Sequence, residues 1–179
     1  PIYVNSILGA SRSGTEYAKK RQIQMISSIG QIVGEEVISV LEETKNLKDK
    51  ITIHGSQKIV TCPGRTRTDV NNREGKPGTY VDGDPVNIKL SLLVLGDIAI
   101  AGVNAEIYNI IGQHLKEKSP LTKTIFVSIT NGASNSGYIP SDDAFQRYTF
   151  QVLGSRLQPN CAETSIVNGL VEMIDEAIK

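Results

Sequence analysis

Apolar and polar positions fall in blocks along this chain, and the clearest block lies between Leu90 and Tyr148. Leu90 to Leu95 is an apolar run, Gly96-Asp97 is a turn pair, and Ile98 to Val103 is a second run. A hairpin closed by a Gly-first two-residue turn accounts for that order. Asn104-Ala105-Glu106 then opens a predicted helix, with apolar residues at Ile107, Ile110, Ile111 and Leu115. Thr124 to Thr130 reads as another buried strand, and it runs into a polar loop ending at Tyr138-Ile139-Pro140. Glu106 and Tyr138 therefore each follow a strand end, where open α/β sheets gather their chemistry.

The flanking segments are simpler. Pro1 to Leu8 predicts a strand, and Gly9 to Gly14 a small-residue loop. Such a loop before a helix can cradle phosphate, but neither GxGxxG nor GxxxxGK[ST] is present, so a turn is the favoured reading. A long helix follows from about Thr15 to Thr44, with Met25, Ile26, Ile29, Val33, Val37, Val40 and Leu41 on one face. Ile51 to Ile53 and Lys58 to Thr61 read as strands joined through His54-Gly55-Ser56. Pro63 to Pro85 reads as a long surface loop in which Arg65, Arg67 and Arg73 are solvated or hold an anion. Near the C-terminus, Asn160 and Glu163 form a capping-box variant before a helical stripe of Ile166, Leu170, Met173, Ile174 and Ala177. The whole predicts one α/β domain over residues 1–179, a mixed sheet with flanking helices.

Composition narrows the function. The 19 basic and 19 acidic residues cancel, which removes the electrostatic case for nucleic acid. No apolar stretch reaches the ~18 residues of a transmembrane helix. The chain opens at Pro1 rather than Met, which reads as a trimmed or processed start. Cys62 and Cys161 follow no metal or CxxC spacing and read as separate thiols, the second helical and partly buried. His54 and His114 make no metal motif with each other or with Glu106, since His114 lies eight positions after it. Taken singly, Glu106 is a helix first-turn acid, Tyr138 a packing aromatic, and Asp142 and Asp143 the first-turn acids of a short helix N-capped by Ser141.

Taken in order, these elements resemble a known family. "LLVLGDIAIAGVNAEIYNIIGQHLKEKSP" from Leu92 to Pro120 is similar to the neutral/alkaline ceramidases, with their Gly-Asp hairpin, a glutamate, and a glycine six residues on (here Gly112). "FVSITNGASNSGYIPSDDAFQRY" resembles the family's strand, Asn-containing loop and Tyr-Ile-Pro turn, and "ILGASRSG" its Gly-Ala-rich loop before a helix. The match is collinear from near Ile7 to the final helix.

The resemblance implies that this chain is the C-terminal part of a larger zinc amidohydrolase domain. It places the family's zinc-binding glutamate on Glu106 and its zinc-binding tyrosine on Tyr138. A second family tyrosine, which polarises the substrate amide, falls on Tyr148 if a two-residue gap precedes Arg147. Both zinc-binding histidines belong to the upstream half of the catalytic domain, which is the implied partner. The chain also departs from the family pattern at Ala105, where a glycine is usual, and at Ser11-Arg12-Ser13, where an acid is expected. The expectations are zinc in the intact protein, an N-acyl lipid-like substrate, a secreted or membrane-associated setting, and weak zinc binding without activity in this chain alone. A non-catalytic binding or assembly domain on the same scaffold is the competing reading.

Overall fold

In a computed structural model, which describes residues 16–45, 47–69 and 75–179, the expected hairpin is the middle of a four-stranded sheet. The chain divides into two units, Pro1–Asp49 and Lys50–Lys179. The expected strand Pro1 to Leu8, the Gly9 to Gly14 loop and Arg73 lie outside the described residues. The first unit contains helix α1 (Glu16–Glu43), with Ile26, Ile29, Val33, Val37 and Val40 exposed along it.

The second unit carries the sheet. Its strands are β1 (Ile53–Arg67), β2 (Tyr80–Leu95), β3 (Ile98–Val103) and β5 (Lys123–Val127), in the order β1-β2-β3-β5. The first two pairings are antiparallel and β3 pairs parallel with β5. The sheet is therefore mixed. Gly96 and Asp97 connect β2 to β3, with Leu95 opposite Ile98, so the two-residue turn stands where the run pattern predicts it. The parallel step from β3 to β5 passes through helix α2 (Asn109–Lys118), as a parallel connection requires a crossover.

Two segments differ from expectation for one reason. β1 is continuous from Ile53 to Arg67 and does not turn at His54-Gly55-Ser56, while the expected loop Pro63 to Pro85 shrinks to the stretch between Arg67 and Tyr80. Pro63 sits where the β1–β2 register shifts between Cys62 and Gly64, on an edge strand. A bulge on an edge is the place where a strand tolerates a residue without an N–H.

Alternation along β2 explains the core. Val86, Ile88, Leu90, Leu92 and Val94 are buried, and on β3 so are Ala99, Ala101 and Val103. Against that face lie α2, through Ile111 and Leu115, and helix α4 (Ala162–Ala177), through Ile166, Leu170 and Ile174. Each such side chain contributes about 1.5–3 kcal/mol on leaving water. Gly112 lets α2 approach β5, since a Cβ there would stand 2.7 Å from the Phe126 ring. The other face of the sheet is apolar but open, with Ile53, Ile59, Leu93 and Ile125 exposed.

The cysteines are not separate thiols: Cys62 on β1 and Cys161 at the start of α4 form a disulfide, with Cα atoms 5.8 Å apart. The Asn160–Glu163 capping box does not form either. Cys161 occupies the N-cap, Asn160 is left-handed at φ 67°, and Glu163 bonds elsewhere. Among the described residues no helix is long and apolar enough to cross a membrane.

Candidate functional site

At the end of β3 the chain leaves the sheet, and Asn104 holds it there. Asn104 N donates to Lys89 O at 3.2 Å, and Asn104 Oδ1 accepts from Lys89 N at 2.8 Å, so the side chain extends the β2–β3 ladder by one bond. The loop after β5 is tied to the same corner. Thr130 N donates to Val103 O, Ile129 N to Ala105 O, and Ser134 N to Asn104 O, at 2.9, 3.1 and 2.7 Å.

Beyond that corner Glu106 is not in a helix, contrary to the sequence reading. Glu106–Ile107 is a short strand, β4, paired in parallel with β6, Tyr138–Ile139, and α2 begins only at Asn109. Helix capping and the helix dipole thus do not explain Glu106. The register sets Glu106 directly opposite Tyr138 and Ile107 opposite Ile139. Side chains alternate faces along a strand, so the Glu–Tyr pair shares one side and the Ile pair the other. Ile139 is fully buried in the core, whereas Glu106 and Tyr138 both line a cavity of about 290 Å³ with Asn104, Ile129 and Ser134. The Tyr138 ring meets the edge of Phe150 at 5.6 Å between centroids, and Phe150 is exposed.

One strained residue lines this cavity. Ile129 has φ 58°. A β-branched residue in the left-handed region is an outlier costing about 1–3 kcal/mol, and such residues cluster at functional sites. Gly137, at φ 67°, has no room for a Cβ because Gly154 O occupies the space. The sequence signalled the loop through Asn131, Gly132 and Gly137. It gave no sign of Ile129.

The remaining candidates lie elsewhere. Tyr148 is exposed, has φ 48°, accepts from Gly75 N through its carbonyl, and does not line the Glu106–Tyr138 cavity. Two residues on, Phe150 opens the short helix α3 (Phe150–Gly154), whose N-cap Thr149 bonds the Tyr108 hydroxyl at 3.0 Å. His114 Nδ1 stands 2.6 Å from Glu163 Oε1, and Glu163 Oε2 accepts from Asp142 N, in a separate cavity. His54 is exposed on β1. Asp142–Gln146 forms a 3-10 turn; Ser141 Oγ bonds Asp143 rather than capping the backbone. That bond, followed by the charge of Arg147, holds the Asp143 carboxyl below its ordinary range. Arg65 is no loop charge. It stacks 3.8 Å from the Tyr80 ring and donates to the carbonyls of Val152 and Ser155, and burial pushes its guanidinium down from its usual value. Arg67 pairs with Asp69 at 2.9 Å.

The donor chemistry at the cavity fits part of a zinc site. A carboxylate oxygen is an ordinary zinc ligand, and the Tyr138 phenol presents a second oxygen on the same side. Among the described residues no group of three or more His, Cys, Asp or Glu could hold a metal. Compared with protein-family models, curated proteins and solved structures, the chain matches none.

Proposed function

We propose that this chain is the C-terminal portion of a zinc-dependent, ceramidase-like hydrolase that cleaves an N-acyl amide bond. The observation that supports it is the β4–β6 ladder, which sets Glu106 beside Tyr138 at one strained cavity. Glu106 and Tyr138 would hold zinc together with two histidines of an upstream half of the same domain. When bound, zinc would supply Lewis acidity toward water and the amide carbonyl. The chain's own part is to orient the Glu–Tyr pair through the ladder, to hold the Tyr138 ring against Phe150, and to bind an N-acyl, lipid-like substrate in the cavity. Tyr148 would polarise the amide from outside the pair, which requires it to reach the substrate from the exposed loop before Phe150. The Cys62–Cys161 disulfide supports a secreted or membrane-surface setting, because such bonds persist in oxidising compartments.

Zinc calorimetry with hydrolysis of a fluorogenic N-acyl substrate tests this. The isolated chain should bind zinc weakly and turn nothing over, for want of the two histidines. In the intact parent protein, Glu106→Ala should lose zinc and activity together. Tyr148→Phe should lower kcat by roughly 10²–10³ with zinc retained, as expected for an oxyanion donor. Tight zinc binding with turnover in the isolated chain would overturn the ligand set. The open apolar face around Leu93 favours a second reading, a non-catalytic assembly domain. Near-normal behaviour of Glu106→Ala and Tyr148→Phe alike would select it.

A further inference from the structure

Asn104 is a polar side chain only 8% exposed, on the wall of the Glu106–Tyr138 cavity. Its orientation is fixed. Only an oxygen can accept the Lys89 N–H at 2.8 Å, so the amide oxygen is the atom turned toward β2 and the nitrogen is turned away from it. Its backbone is held on both sides, the N–H by Lys89 O at 3.2 Å and the carbonyl by Ser134 N at 2.7 Å. Three bonds therefore hold one residue rigid.

The amide nitrogen is treated differently from the rest of Asn104. Among the described residues Nδ2 donates to nothing, yet it is not sealed inside the protein, where Thr130 Oγ1 is the only buried side-chain atom lacking a partner. An unpaired donor that is not sealed, on a residue lining a cavity, is available to a ligand there. A nearly buried donor without a protein partner is costly unless water or a ligand completes it. The donor is neutral, so it suits a neutral acceptor and contributes no charge that would compete with a metal beside Glu106.

We infer that Asn104 is a substrate-binding residue whose Nδ2 donates to the carbonyl oxygen of an amide held in the Glu106–Tyr138 cavity. The substrate class rests on the N-acyl amide reading proposed above. The position of the donor does not. Because Asn104 is preorganised, the bond forms without rearrangement of the protein, which is the condition under which a donor aids both binding and carbonyl polarisation.

Nuclear magnetic resonance of the full 179-residue chain, zinc-free, tests the inference. The side-chain amide of Asn104 is assigned in the wild type and followed during titration with N-hexanoylethanolamine, a soluble short-chain N-acyl amide. The expected result is a saturable shift of the Asn104 NH2 pair. Asn104→Asp keeps the acceptor for Lys89 N–H but replaces the donor with an oxygen, and it should weaken binding at least about tenfold. A silent Asn104 pair, or equal affinity in Asn104→Asp, overturns the inference, and so does the absence of saturable binding. Since the wild-type signal is itself a readout, a variant that fails to fold leaves the test decided. Zinc takes no part in it. A shift at Asn104 alongside failed zinc binding in the parent protein removes the metal reading alone, whereas zinc binding with Asn104 silent removes only the present inference.

Discussion

The buried face of the sheet and the cavity at its end obey opposite rules. Behind the sheet, Ile88, Leu90, Ile166, Leu170 and Ile174 are fully buried and purely apolar, and no backbone strain is needed to place them. At the cavity, Ile129 is left-handed, Gly137 has no room for a Cβ, and the polar Asn104 is nearly buried on the wall. Both regions meet at one strand: β3 packs Ala99, Ala101 and Val103 into the core and then hands the chain to Asn104. Stability is concentrated in the first region. The second region departs from local preferences in several ways at once, a pattern natural proteins keep where they need a site.

Stability measurements can break this contrast. The largest effect should come from the disulfide, which spans 99 positions and joins the edge strand to α4. Replacing both Cys62 and Cys161 with Ala should lower stability by about 4 kcal/mol in urea unfolding, on the loop-closure scale. Leu170→Ala should cost about 3 kcal/mol, because Leu170 is fully buried and leaves a cavity. At the strained corner the sign should reverse. Ile129→Gly should raise stability by about 1 kcal/mol, as relief of the left-handed strain exceeds the entropy that glycine adds to the unfolded chain. A loss in Ile129→Gly comparable to that of Leu170→Ala would mean that Ile129 is a packing residue and that the division into two regimes is wrong.

The same division governs what the sequence discloses. The Gly96-Asp97 hairpin was legible because two apolar runs flank a turn pair that demands little else, and α4 because its stripe is regular. The β1 strand was obscured by His54-Gly55-Ser56 and Pro63, residues that mark turns unless an edge position and a bulge accommodate them. Glu106 reads as helical because Ile107, Ile110, Ile111 and Leu115 keep helical spacing, although Ile107 belongs to a strand whose partner lies about thirty residues away. Its juxtaposition with Tyr138 is long-range, as is the Cys62–Cys161 pairing, and local periodicity carries no information about either.

The disulfide has a topological consequence. Cys62 and Cys161 close the chain into a covalent ring that contains the hairpin, α2, β5, the Glu106–Tyr138 pair and α3. A single cut inside that ring, for example in the stretch between Arg67 and Tyr80, opens it without releasing a fragment, and every element stays tethered at a sulfur atom. A nicked molecule would therefore migrate as one species until it is reduced. Its new ends would lie on the loop side of β1 and β2, away from the turn at Gly96.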